Sequence, residues 1–289
     1  MGIKYGYISG DHYCCNLIIK IFTMNALGKS VKRVYVLLFA RRVFYPVNLF
    51  LYKLSLFGLG LRNYENDTVS GENAFIKFLK ASRKLDSGVI MDIGANIGNY
   101  STMLREKGIT LPIFAFEPHP VAFGKLSEAA TAYNFTAIPE GAGEESTMAT
   151  IYDYQGDGGS EHASMYKGVI EHLHKGKAEE ITIAITTVDE FVAKHHISKI
   201  ALLKIDTEGH ELSVLKGAKQ TIAEGKAAVI QMEFNEMNII SRTFFKDIVD
   251  LLPSYSFYRM LPDGMKALGP YNSTNYEIFS FQNIVALRD

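Results

Sequence analysis

The sequence predicts an α/β fold, a mostly parallel sheet with helices on both faces. Three observations carry that reading. From residue 89 onward short apolar runs alternate with segments of helical spacing, the pattern of successive βα units. IALLKID (200–206) is apolar almost throughout, as a central parallel strand covered on both faces should be. The first apolar run ends in a glycine turn, DIGANIG (92–98), that opens a helix. Open α/β sheets bind ligands at such strand ends.

The elements follow in order. In GENAFIKFLKAS (71–82), Phe75, Phe78 and Leu79 share a helical face. VIMDIGANIGNYS (89–101) reads as strand, turn and helix start, IFAFEP (113–118) as a second strand, VAFGKLSEAATAY (121–133) as a helix and FTAIPEG (135–141) as a third strand. Between about Glu144 and Glu180 the chain is polar and glycine-rich, above all in GDGGSEH (156–162), which predicts an insertion over a site or a surface loop. ITIAITT (181–187) resumes a strand, and Thr187 with Glu190 fits a capping box for the next helix. After IALLKID comes one helix over 211–225, stopped by Gly225. AAVIQMEF (227–234) is a strand, Thr243–Leu252 a helix and IFSFQNIVALR (278–288) a closing strand.

With 47% hydrophobic and 21% charged residues the chain has the composition of a globular protein able to bury a core. The net charge of −1 conceals an asymmetry: residues 1–62 carry nine basic side chains and one acidic, Asp11, whereas the remainder is net −9. This divides the chain into a basic, apolar, helical segment, 1–62, and an acidic α/β domain, 63–289. The only cysteines, Cys14 and Cys15, are adjacent and make a poor disulfide framework, which fits a reducing compartment. Leu17–Phe22 is interrupted by Lys20 and lacks a small-residue cleavage site, so no signal peptide is expected and the chain is placed in the cytoplasm. From Val34 to Leu61, Arg41, Arg42 and Lys53 break the apolar text into runs too short to span a bilayer, which takes roughly 20 residues. Such a segment can lie in the headgroup region at the inner face of a membrane, or pack on the catalytic domain or a second subunit. Nucleic acid is not expected as a partner, because the larger domain is acidic and no recognition motif is present. A homo-oligomer is left open.

Two strings carry chemistry. Gly94 and Gly98 bracket the first turn and, lacking a Cβ, let backbone amides approach an anion such as a cofactor carboxylate at a helix N-terminus. Asp92 ends the first strand and Glu117 the second, close to where an acidic residue accepts hydrogen bonds from ribose hydroxyls. The spacing is G-x-x-x-G, not G-x-G-x-x-G, which favours a nucleoside cofactor without a pyrophosphate. In KIDTEGHELSVLKGA (204–218), Asp206, Glu208, Glu211 and His210 crowd the end of a central strand. A purely structural account has Asp206 or Thr207 capping the next helix, Gly209 making the turn and Glu211 complementing the helix dipole.

Together with SGENAF (70–75), FEPHP (116–120), TTVDEF (186–191) and the strand ending in MEF (232–234), these strings resemble the FkbM family of S-adenosylmethionine-dependent methyltransferases, from about Glu65 to Arg288. Residues 1–60 lie outside the resemblance. It implies a class I methyltransferase, Rossmann-like, three-layer fold, with a mostly parallel seven-stranded sheet and a reversed last hairpin. Its activity would be methyl transfer to a hydroxyl oxygen. Asp92, Gly94, Ala95, Asn96 and Gly98 would form the cofactor turn, Glu117 would hold the ribose with Pro118 in the same set, and Ala142 or Glu140 would lie beside the adenine. Asp206, Glu208 and His210 would face the methyl group and the acceptor.

An alcohol needs a positioned base, and His210 has the most suitable ordinary pKa, with Asp206 or Glu208 as the other candidates. Asp206, Glu208 and Glu233 also offer hard oxygen ligands to a divalent metal such as Mg²⁺, a route not favoured. His172 and His174 are read as a surface pair. The acceptor expected is a small molecule or glycan, with a sugar of a polysaccharide or glycolipid preferred. A nicotinamide-dependent oxidoreductase and a non-catalytic membrane-associated scaffold are the readings of other classes.

Overall fold

A computed structural model of the chain describes residues 26–154, 164–168, 171 and 177–289. Cys14, Cys15, the run 17–22, the stretch 156–162, His172 and His174 lie outside them. The chain divides into two compact units, Met1–Leu56 and Phe57–Asp289.

In the first unit, α1 (Ala26–Phe39) and a 3₁₀ turn (Arg42–Phe44) lead into α2 (Tyr45–Gly58). The two helical stretches are bent by 94°, and among the described residues no single helix is long and apolar enough to cross a membrane.

The second unit runs α3 (Glu72–Ala81), β1 (Val89–Ile93), α4 (Asn99–Glu106), β2 (Ile113–Phe116), α5 (Pro120–Tyr133), β3 (Thr136–Ile138), β4 (Gly141–Ala142), β5 (Thr147–Tyr154), β6 (Ala178–Thr186), α6 (Val188–Lys194) and β7 (Ile200–Ile205). It continues α7 (Glu211–Lys216), α8 (Lys219–Ala223), β8 (Val229–Phe234), α9 (Met237–Ser241), α10 (Phe245–Leu251), β9 (Tyr255–Leu261), β10 (Gly264–Ala267), α11 (Ser273–Tyr276) and β11 (Gln282–Arg288).

The main sheet has the order β10-β9-β11-β8-β7-β1-β2-β3. β3, β2, β1, β7 and β8 are parallel, and β11 inserts antiparallel between β8 and β9. This is the class I methyltransferase sheet with one strand more than the seven expected. The extra strand is β10, a short edge hairpin partner joined to β9 across Pro262 and Asp263. All six residues of β7 are buried. Leu202 packs with Phe75, Leu79 and Leu104 on one face, and Leu203 and Ile205 pack with Phe116, Phe191 and Phe234 on the other. Burial on both faces of a near-continuous apolar strand is what forces the three-layer arrangement.

Three local expectations are corrected. The polar stretch 144–180 contains β5 and the start of β6, which pair antiparallel and form a second, three-stranded sheet, β4-β6-β5. The single helix expected over 211–225 breaks into α7 and α8 at Gly217. A Cβ there would lie 1.9 Å from the Gly143 carbonyl oxygen, so the backbone of the small sheet occupies the space that a side chain at this point of the helix would need. The capping box is half formed: Thr187 Oγ1 accepts from the Glu190 amide at 3.0 Å, but the Glu190 carboxylate takes the Ser146 hydroxyl instead of turning back.

Candidate active site

The strands of the parallel set end at one edge, and β2, β1, β7 and β8 are neighbours there. Each is followed by a segment the sequence singled out: Glu117–Pro118 after β2, Gly94–Gly98 after β1, Asp206–His210 after β7, and Asn235 after β8, whose penultimate residue is Glu233. A cleft of about 800 Å³ is lined by residues from all four. It is large enough for a nucleoside cofactor beside an acceptor, since small-molecule sites run to about 300–1,000 Å³.

The two central loops touch. β1 and β7 are in register, Asp92 opposite Lys204 and Ile93 opposite Ile205, and the Asp206 amide donates to the Ile93 carbonyl at 3.0 Å. Gly94, at φ +79°, brings its α-carbon so close that a Cβ would lie 1.7 Å from the Asp206 carbonyl oxygen. Only a glycine permits this approach.

The glycine turn folds back on the sheet. The amides of Gly94 and Ala95 both donate to the Phe116 carbonyl, Gly98 donates to Ala95, and the Asn96 amide donates to Glu117 Oε2 at 2.9 Å. The amides of Gly94, Ala95, Asn96 and Gly98 are thus engaged within the protein, and Gly94 and Asn96 both have positive φ. Glu117 Oε1 accepts in turn from the His119 amide at 2.8 Å, so this carboxyl clamps the turns after β1 and β2 together. Burial lifts Glu117 to about 7, against the opposing effect of those two amides.

Of the residues assigned to the cofactor, Gly94, Ala95, Asn96, Glu117, Pro118 and Ala142 line the cleft. Asp92 and Gly98 do not. Asp92 is wholly buried, accepting the Ser101 hydroxyl at 2.7 Å and pairing with Lys204 at 3.4 Å. Gly98, at φ +91°, leads into α4, and a Cβ there would meet Leu126 of α5 at 2.9 Å. Both support the turn from behind.

The side of the cleft formed after β7 and β8 is acidic. Asp206, Glu208, Glu233 and His210 all line the cleft. Glu208 sits at φ +53° before Gly209 at φ +98°, a reversed bend held from outside by the Ser164 hydroxyl on the Glu208 carbonyl at 2.8 Å. Burial, then the charges of neighbouring carboxylates, raise Glu208 and Glu233 well above the ordinary range. The Asn235 amide group serves both carboxyls. His210 is pulled down to about 4 by burial, with Glu144 opposing, and its Nδ1 lies 3.4 Å from the Tyr166 hydroxyl. It is therefore a neutral imidazole near pH 7. Glu211, grouped with these carboxylates in the sequence, faces away: it accepts from the Thr207 and Gly209 amides at 3.0 Å each and from Asn238, and so holds the loop in shape. Among the described residues no group of His, Cys, Asp and Glu is placed to hold a metal ion.

The floor of the cleft was legible only in part: pairing of Lys204 with the carboxylate cluster was open to the sequence, but Tyr100, Gln231 and Glu72 around it were not. Lys204 is buried between Asp206 at 3.2 Å and Asp92, with its Nζ 5.1 Å from the centre of the Tyr100 ring. Burial works against its charge, but Asp206, Asp92 and Glu72 outweigh it and hold the ammonium above its ordinary range. Tyr100 donates to Gln231 at 2.5 Å and Gln231 to Glu72 at 3.2 Å, which ties α3 to the cleft. The signal for Lys204 was a lone lysine inside an apolar strand opposite Asp92, a pattern that requires a buried partner.

A glycine turn and an acidic loop abutting on adjacent parallel strands, in a sheet with a reversed final hairpin, define a class I methyltransferase. The methyltransferase FkbM domain matches residues 92–258. The chain belongs to the FkbM methyltransferase family. It is 30% identical over 163 residues to the hexuronic acid methyltransferase AglP of Haloferax volcanii, covering 56% of this chain and 62% of AglP. It is 23% identical over 187 residues to the 2-O-methyltransferase NoeI of Sinorhizobium fredii, covering 62% of this chain and 76% of NoeI. The match thus spans a little under two-thirds of AglP. A solved methyltransferase FkbM from Methylobacillus flagellatus KT aligns with 17% identity and a TM-score of 0.43, over 81% of this chain and 59% of that one. Neither an oxidoreductase nor a scaffold protein stands among these matches.

Proposed function

We propose that the chain is an S-adenosylmethionine-dependent O-methyltransferase acting on a hydroxyl of a neutral sugar. The observation that carries this reading is the contact of Gly94 with Asp206, which joins a nucleoside-binding turn to a proton-accepting loop in one cleft. The names of AglP and NoeI support a sugar acceptor. Neutrality follows from charge: among the described residues lining the cleft, Lys204 is the only Lys or Arg, and it already serves Asp92 and Asp206. A uronic acid would add a carboxylate with no cation to meet it, whereas sugar hydroxyls donate readily to carboxyl oxygens.

Bound S-adenosylmethionine would supply an already activated methyl group. Glu117 would accept the ribose hydroxyls on lone pairs its two backbone partners leave open, and Gly94, Ala95 and Ala142 would give flat walls to the nucleoside. Glu208 and Glu233 would orient the sugar, and His210 would take the hydroxyl proton. A positioned base contributes about 10²–10⁴-fold. Calorimetric titration should give binding of S-adenosylmethionine and none of NAD(P)H. With labelled cofactor, His210→Ala should lower kcat by about 10²–10⁴ while cofactor affinity is kept. Full activity of that variant, with loss confined to Glu208→Gln, would move the base to the carboxyl. Activity surviving exhaustive chelation would dispose of the metal-assisted route.

A further inference from the structure

We propose that the N-terminal helical unit docks the protein onto an anionic membrane surface, lying in the headgroup region without crossing the bilayer. Four consecutive residues of α2, Leu49, Phe50, Leu51 and Tyr52, are 38%, 63%, 47% and 58% exposed. Successive residues on a helix point about 100° apart, so these four spread exposed apolar surface around α2, on which Leu56 alone is buried. A helix apolar all round belongs in an apolar environment. The same holds along α1, where Val34 to Phe39 are all exposed. Water-facing apolar surface on this scale marks an interaction site.

Charge decides the occupant. Ala26 to Gly58 contains six basic residues, Lys29, Lys32, Arg33, Arg41, Arg42 and Lys53, and no acidic one. A second copy packed arm against arm would bring like cations to the same face, since residues 1–25 add two lysines against a single aspartate. An anionic bilayer satisfies both features, taking the apolar side chains into its acyl boundary and the cations among its phosphates. The unit from Phe57 onward, with 22 basic and 30 acidic residues, would be repelled by such a surface, so attachment must come from the arm.

Length decides the depth. The 14 residues of α2 extend about 21 Å, short of the roughly 30 Å hydrocarbon core. The 94° bend prevents α1 from completing a straight span, and Arg41 and Arg42 sit at that bend, where a headgroup can meet them.

The test is co-sedimentation of the full chain with vesicles of phosphatidylcholine alone or with 30% phosphatidylglycerol (about a third anionic lipid), at low and high salt, beside light scattering of the free protein. Binding is expected only to the anionic vesicles and is expected to fall steeply with salt. Two variants should each weaken it about tenfold or more, Phe50→Ser with Leu54→Ser, and Arg41→Glu with Arg42→Glu and Lys53→Glu. The unfolding temperature should be unchanged in both. Three results would overturn the proposal. They are no vesicle binding, a stable oligomer that Phe50→Ser with Leu54→Ser dissociates and that ignores vesicles, and binding that is equal on both lipids and resists alkaline extraction as a spanning helix would.

Discussion

Glycines 94 and 108 share almost the same backbone angle, φ +79° and +77°, but only the first has anything to collide with. Gly108→Ala therefore isolates the conformational cost of a left-handed non-glycine residue, about 1–2 kcal/mol. Gly94→Ala carries that cost and must also push the Asp206 backbone away, and overpacking of this kind adds about 1–3 kcal/mol or more. Denaturant unfolding should separate the two variants by that increment, and Gly94→Ala alone should lose cofactor binding. Equal stability would mean that the two loops can part cheaply, and the shared cleft would lose its basis. Glu117 makes a second test at this scale. Burial raises it to about 7, and ribose hydroxyls donate best to the carboxylate, so cofactor binding should expel a proton below that pH. The dissociation constant should rise by up to about tenfold per unit as pH falls below 7 and level off above it, and Glu117→Gln should abolish the slope. Titration in buffers of different ionisation enthalpy reads the released proton directly.

The small sheet is fastened to the large one by a buried pair. His119 Nδ1 accepts from the Val121 amide at the start of α5, so Nε2 carries the hydrogen and donates to Asp153 of β5 at 3.2 Å. The two side chains are 4% and 2% exposed. Asp153→Ala leaves a buried donor without its acceptor, which costs about 1–3 kcal/mol, and should show as a lower unfolding midpoint with little change in the far-ultraviolet spectrum. This pair also explains why β5 was illegible in the sequence. Its inward face reads Ala149, Ile151, Asp153, and an aspartate at a core position destroys the alternation by which a strand is recognised. β9 was hidden in the same way. Arg259 is buried in its middle, donating to Gln282 and to the Asn275 carbonyl at 2.8 Å each, and the hairpin turn that follows it, Pro262–Asp263 before Gly264, was overlooked. By contrast β1, β2, β7 and β8 were read directly, because their cores hold aliphatic and aromatic side chains with few polar interruptions. Most of the candidate site was legible for a related reason: its residues follow those four strands at once. Glu72 and Gln231 were not, because they reach the cleft through contacts that no local spacing encodes.

At the scale of the whole molecule, the cleft stores charge unfavourably. Burial raises Glu72, Glu117, Glu208 and Glu233 in the cleft, and Glu211 behind it, above the ordinary carboxylate value of 4.5. Between 4.5 and its own folded value each keeps its proton when folded and gives it up when unfolded. Its contribution to stability is therefore whole below the unfolded value and is lost as pH rises through the folded value. His210 runs the other way: its value falls from 6.5 to about 4, so the unfolded chain takes up the proton first and stability drops as pH falls across that window. Above 6.5 the histidine no longer opposes the carboxyls. The ligand-free protein should accordingly lose thermal stability as pH rises from 6.5 through about 7, the folded value of Glu117, where many proteins are near their maximum. Glu233→Gln removes the ionisation and keeps a neutral side chain of nearly the same shape, whose Oε1 can still accept from Asn235. It should raise the unfolding temperature at pH 8 by about 2–4 °C for each kcal/mol recovered and leave stability at pH 5 nearly unchanged, while methyl transfer falls. A protein more stable and less active from one buried amide would show that the acidic cluster is maintained at the expense of the fold for the sake of the reaction. An unchanged melting temperature at pH 8 would mean that Glu233 ionises without penalty, and the proposed strain would be absent.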